Sequence, residues 1–215
     1  MVGECTGERW RKKLLASGFG RMWIARGRNI YTYDGEVWGF DNGAYRDWGS
    51  GEPFNESLYM SCLEKVLAHP HSPYLAVLPD VPGEGERSKD FSLEWLDRLG
   101  NLLPWYVAVQ DGMTESDLDA FDGITGVFLG GTSQFKATAL HWATAARRRG
   151  LRFHYGRCGT PAKLYHALSV GADSADSALV MWNKARWTQT LEIIRNGPIQ
   201  QELFKSWEQH SQLSA

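Results

Sequence analysis

Trp105-Tyr106-Val107-Ala108-Val109-Gln110, Ile124-Thr125-Gly126-Val127-Phe128-Leu129-Gly130-Gly131 and Leu151-Arg152-Phe153-His154-Tyr155-Gly156 decide the fold class. Each is an apolar run too short for a helix, and each stops at a polar residue or a glycine. The segments between them have helical character. Residues 114–119 open on Thr114 with acids in the first turn, and residues 134–149 are Ala-rich and stop at Gly150. Strand, helix, strand with short connections implies parallel strands joined by right-handed crossovers.

The same alternation continues outward in both directions. Strands are expected at 21–25, 36–40 and 74–78, with helices at 57–68 and 92–99. After Gly156, a helix at 161–170 has Thr160 as its cap and Pro161 at its first position, and it stops at Gly171. A short run at 172–175 ends at Asp176, and 178–181 reads as a further strand or an extension of it. Helices at 188–195 and 199–213 complete the chain. A doubly wound open sheet and a closed barrel both fit this order. The G-x-G-x-x-G and G-x-x-x-x-G-K-[ST] fingerprints are absent. The number of βα units, roughly seven, favours an α/β fold of the compact (β/α)8-type TIM barrel kind, reduced in size, as one domain over residues 1–215.

Composition narrows the function classes. The formal net charge is −2, so a nucleic-acid partner would need a local basic patch. Cys5, Cys62 and Cys158 are far apart with no C-x-x-C, which argues against a cysteine-built zinc site. The odd cysteine count and the absence of an apolar leader in residues 1–13 point to a reducing, cytoplasmic setting. No run of about 18 apolar residues occurs, so no membrane partner is expected. Ten tryptophans and eight tyrosines read first as packing and second as stacking surfaces for bases.

Chemistry gathers at the strand ends. Asp41, Asp80, Gln110, Gly130-Gly131, Gly156 and Asp176 each follow an apolar run directly. In a barrel these positions share the C-terminal mouth, where such folds carry their active sites. An Asp after a strand is often only a turn former. Turn chemistry does not, however, require carboxylates and an amide to recur at one mouth.

Several of these residues lie in familiar motifs. Gly159-Thr160-Pro161-Ala162-Lys163-Leu164, a helix, then Gly171-Ala172-Asp173-Ser174-Ala175-Asp176-Ser177 resembles the G-T-P-x-x-L … G-[IV]-D-M-F-D-C pattern of the queuine and archaeosine tRNA-guanine transglycosylase superfamily. Asp41-Asn42-Gly43-Ala44-Tyr45 is similar to its D-S-G-G-[FY]-Q motif, and Val107–Gly112 to G-[IV]-V-Q-G-G. Leu78-Pro79-Asp80 and Gly130-Gly131 resemble its base-reading strand ends. The ordered matches span most of residues 40–180. The resemblance implies a pentosyltransferase working by double displacement. Asp176 would be the nucleophile at the sugar C1′ and Asp41 the general acid/base. Asp80, Gln110, Gly130, Gly131 and Tyr45 would bind the base.

The chain also departs from the family. No cysteine or histidine occurs in 182–195, where the tRNA enzymes carry their zinc module, so no metal and no cofactor is expected. Ser177 replaces the cysteine after the nucleophile, and Gly156 stands near the methionine that covers the base. A short, zinc-free chain is most similar to the DNA-directed branch, which inserts 7-deazaguanine derivatives such as preQ0 into bacterial or phage DNA. The implied partners are therefore DNA, single- or double-stranded, and a free 7-deazaguanine base, with accessory proteins open. Lys184 and Arg186 are the candidate nucleic-acid contacts. The triple arginine 147–149 reads rather as a helix C-terminus. A tRNA-directed enzyme, a non-catalytic base-binding barrel and an unrelated phosphate-binding barrel are the alternatives. His154 and Asp173 read as packed and structural.

Overall fold

A computed structural model describes residues 1–2, 8–26, 30, 32, 35–178 and 188–194. Seven strands form one all-parallel sheet in sequence order: β1 Arg21–Ile24, β2 Trp38–Asp41, β3 Leu75–Val77, β4 Trp105–Val109, β5 Gly126–Leu129, β6 Arg152–Tyr155 and β7 Ser174–Ala175. The helices are α1 Glu8–Ala16, α2 Ala44–Gly49, α3 Glu56–Leu67, α4 Gly85–Leu99, α5 Ala139–Arg148 and α6 Pro161–Ser169. Two 3-10 segments, Glu115–Ala120 and Phe135–Thr138, stand in the β4–β5 and β5–α5 connections.

The α/β class and parallel order are as expected, but the closed (β/α)8 barrel is not. The sheet curls into a half-barrel, and β7 pairs with β6 while no ladder joins it to β1. Closure needs a strand that pairs with both edges at a consistent stagger. Here β7 is two residues long, and no strand follows it among the described residues. Met1 and Val2 bridge the edges only locally: Val2 pairs with Arg21, and the Met1 carbonyl accepts from the Ser177 amide.

Alternation along the strands divides the core. Met22, Leu75, Val77, Tyr106, Ala108 and Phe128 pack together on one face of the sheet. Trp23, Phe40, Ala76, Trp105, Val107, Val127, Leu129 and Phe153 share the main core with Leu63, Trp95 and Trp142 of the helices. Burial on both faces explains why the strands read as continuous apolar runs. Gly126 in β5 and Gly39 in β2 make room for the inner layer. A Cβ at Gly126 would lie 2.4 Å from the Tyr106 ring, and one at Gly39 would lie 2.9 Å from Met22 Sδ.

Two boundaries differ from expectation, and two helices are added. Helix α4 starts at Gly85, seven residues before the expected start at residue 92, and Ser92 lies inside it, its hydroxyl donating to the Pro79 carbonyl in the core. Strand β2 runs one residue further than expected, so Asp41 is its last residue. Helices α1 and α2 are additional elements; both are short, and α2 follows Gly43, which adopts φ 80°. The expected helix at 188–195 is present over 188–194. The expected strand at 178–181 beyond residue 178, and the helix at 199–213, lie outside the described residues.

Candidate active site

The carboxyl ends of β2, β3, β4, β5 and β6 surround a small cavity of about 40 Å³, lined by Asp41, Asn42, Tyr45, Asp80, Gln110, Gly130, Phe128 and Arg157 among others. An open cleft of about 510 Å³ adjoins it and shares Asp80 and Pro82. Parallel topology accounts for the convergence, since every strand presents the same end to this face.

One hydrogen-bond chain crosses the floor. The buried Asp80 carboxylate accepts from Asn42 Nδ2 at 2.7 Å and from Gln110 Nε2 at 2.5 Å. Gln110 Oε1 accepts from the amides of Gly131 at 2.7 Å and Gly83 at 3.1 Å. Asn42 also donates to the Leu78 carbonyl at 2.6 Å and caps the Ala44 amide at 2.8 Å. Four strand ends are thereby cross-linked through side chains. The Gly131 amide, expected to face a base, is held by Gln110 instead. Gly130 is obligatory for this arrangement: a Cβ there would lie 2.5 Å from Gln110 Nε2.

The two proposed catalytic aspartates differ in environment. Burial pushes the Asp41 pKa up to about 7, with the negative charges of Asp176 and Asp80 adding to it. The Gly43 amide, donating at 2.7 Å, and the Arg157 charge oppose the rise only in part. Asp80 is raised by burial to about 6, against the hydrogen bonds from Asn42 and Gln110. Burial would also raise Asp176, but the hydrogen bond from His154 and the Arg157 amide outweigh it and hold its carboxyl below the ordinary value.

Those two donors are specific. His154 Nε2 lies 3.1 Å from Asp176 Oδ1, and the Arg157 amide donates to the same oxygen at 2.8 Å. His154 is fully buried, stacked on Phe128 with ring centroids 4.8 Å apart, and desolvation lowers its pKa. An ionised carboxylate only accepts, so Nε2 donates to Asp176, and Nδ1 lies 2.7 Å from the Ser174 hydroxyl, which fixes the plane of the ring. His154 was read from sequence as packed; it is packed, and it also orients Asp176.

Tyr45, on α2, is half exposed, and the Arg157 guanidinium lies 3.6 Å from its ring centroid. The buried Lys136 ties β5 to β6, its Nζ donating to the Leu129 carbonyl at 3.1 Å and to the Gly156 carbonyl. Asp173 accepts from the Phe153 amide at 2.7 Å, a structural contact between β6 and the start of β7. The three arginines 147–149 are engaged: Arg147 with the Val170 carbonyl, Arg148 with Glu115, Arg149 with Asp119. Lys184 and Arg186 lie outside the described residues.

Asp41, Tyr45, Asp80, Gln110 and Gly130 thus meet in one cavity. Gly131 joins them through Gln110, and Asp176 through Arg157. Sequence reasoning missed Asn42, Arg157 and Lys136. Asn42 sits inside the quoted Asp41–Tyr45 motif and could have been found there. Arg157 and Lys136 carry no local signal.

No family model and no curated protein matches the chain. A solved structure described as the crystal structure of the Amycolatopsis orientalis BexX/CysO complex is similar in fold, with a TM-score of 0.59 and 11% sequence identity, over 96% of this chain and 90% of that chain. At that identity the likeness concerns the fold alone. Among the described residues, no helix is long and apolar enough to cross a membrane.

Proposed function

We propose that the chain is a guanine transglycosylase acting on DNA, exchanging guanine for a 7-deazaguanine base through a covalent aspartyl-sugar intermediate. The observation that carries this reading is the convergence of two carboxyls in unlike surroundings: Asp41 lines the cavity with Asp80 and Gln110 and is raised by burial to about 7, while Asp176 joins it through Arg157 and is held below the ordinary value by His154 and the Arg157 amide. Environments that push two acids apart assign a nucleophile and a proton carrier.

In the first half-reaction an Asp176 oxygen attacks C1′, and the C1′–N9 bond breaks with its electron pair leaving on guanine. Asp41 delivers the proton that neutralises the departing base. In the second, Asp41, now a carboxylate, takes the N9 proton of the incoming base. That nitrogen attacks C1′ and the ester opens to regenerate the Asp176 carboxylate. Two inversions give net retention, as in retaining glycosidases. Asp80, largely ionised at neutral pH, would accept from the paired N1–H and 2-amino donors of guanine. Each of its oxygens keeps a further lone-pair site beyond the bonds from Asn42 and Gln110. A target inside a duplex would have to be flipped out to reach this mouth.

The test is an exchange assay. The protein is incubated with DNA carrying radiolabelled guanine and with unlabelled 7-cyano-7-deazaguanine, with tRNA in parallel and Asp176→Ala as control. Release from DNA that depends on Asp176 is the expected result. Release from tRNA alone would reassign the polymer, and release from neither would remove the transferase reading.

A further inference from the structure

We propose that Arg157 governs access to the base pocket: its guanidinium occupies the place of the base, stacked on Tyr45 and donating to the Gly131 carbonyl, and gives up both contacts when a base enters. The inference rests on the guanine-pocket reading above and names a further positioning and specificity residue for it.

Geometry excludes simultaneous occupancy. The guanidinium carbon lies over the Tyr45 ring, 3.6 Å from its centroid, already at contact distance. A base between the two planes would require a separation of roughly 7 Å, twice the contact distance of carbon atoms. The cavity left beside Arg157 measures about 40 Å³, which accommodates no more than a few waters and not a purine. The residues expected to hold guanine are therefore assembled around a space that the arginine fills.

The guanidinium is suited to stand in for a guanine edge. Both present a planar N–C–N unit with parallel N–H donors. Arg157 Nη2 donates to the Gly131 carbonyl at 2.8 Å, on the glycine that the base-reading strand end provides. Its positive charge also lies near Asp41 and Asp80 and offsets theirs. A pocket bearing these carboxyls is thus closed by a cation that a neutral base must displace.

The backbone separates this motion from the nucleophile. Arg157 has φ 53°, the one positive value at a non-glycine among the described residues. That conformation aims its amide at Asp176 Oδ1, 2.8 Å away. The side chain can leave Tyr45 without disturbing the amide, so opening the pocket and holding the nucleophile are independent tasks of one residue.

The experiment measures binding of free guanine to the full chain by titration calorimetry. Wild type is compared with Arg157→Gly and Arg157→Lys. Glycine suits φ 53°, so removing the side chain relieves the backbone rather than straining it. Lysine keeps the charge but has no plane to lay on the ring. Guanine is expected to bind Arg157→Gly at least fivefold more tightly than wild type, with Arg157→Lys between them. Equal or weaker binding to both variants, with wild type binding guanine, would overturn the gating role and leave the base pocket standing. Absence of guanine binding in all three proteins would overturn the pocket reading and the gate together. Were Arg157→Gly to lose its fold by circular dichroism, tighter binding by Arg157→Lys would carry the proposal, and its absence would end it.

Discussion

At the residue scale, the chemistry turns on which carboxyl keeps its proton. Asp41 must donate one to the departing base, so activity is expected to fall as pH rises through about 7, where it loses that proton. A pH profile of kcat/KM on labelled DNA would show this limb, and Asp41→Asn should lower kcat by about 10²–10⁴. Asp176 must be ionised, and His154 is one of the two groups that keep it so. His154→Phe preserves a ring against Phe128 but removes the donor. The acid limb of the profile should then move to higher pH. A merely structural loss would lower the rate at all pH values and leave the limb where it was.

At the element scale, the strand ends are held in register by side chains as much as by the backbone ladder. Lys136 joins β5 to β6 through two carbonyls while almost fully buried, and burial lowers its pKa to about 7. Lys136→Met would leave both acceptors without that donor, at a cost of about 2–3 kcal/mol. Thermal unfolding should show it as a fall in Tm of roughly 5–10 °C. Gly126→Ala tests the inner layer. Its Cβ would meet the Tyr106 ring at 2.4 Å and the Arg152 carbonyl at 2.8 Å, and the second of these is backbone that cannot turn aside. Overpacking of this kind costs about 1–3 kcal/mol, measurable as a lower midpoint in urea.

At the scale of the whole molecule, the site is carried at the expense of stability. The Asp41 pKa is raised by folding from 3.8 to about 7. Its contribution is therefore fully present below about pH 4 and is lost as pH rises through 7, because the folded chain binds a proton that the unfolded chain has released. Each pKa unit corresponds to about 1.4 kcal/mol, and partial exposure of the side chain reduces the sum to about 2 kcal/mol. Asp41→Asn lacks this loss. Unfolding free energies of the two proteins measured at pH 4 and pH 8 should diverge by about that amount, with the variant gaining at pH 8. A pH-independent difference would remove Asp41 as the group responsible. The half-barrel form belongs to this scale too: β7 is two residues long, and among the described residues no strand supplies the ladder a closed barrel requires.

The α/β class, the parallel order and the positions of Asp41, Asp80, Gln110 and Asp176 at one mouth were legible in the sequence. Apolar runs buried on both faces and the polar residue that ends each of them are local features, and parallel connectivity then leaves one end for all of them. Helix α6 was legible for the same kind of reason, since Thr160 and Pro161 act within a single turn. What only the tertiary structure decided is whatever depends on contacts between distant strands. The chain from Asn42 through Asp80 to Gln110 and Gly131, the His154–Asp176 bond and the Arg157–Tyr45 contact all join residues 20 or more positions apart. No periodicity encodes such pairings. Register, burial and the lowered dielectric of the interior select them once the sheet has formed, and those same conditions set which carboxyl is charged.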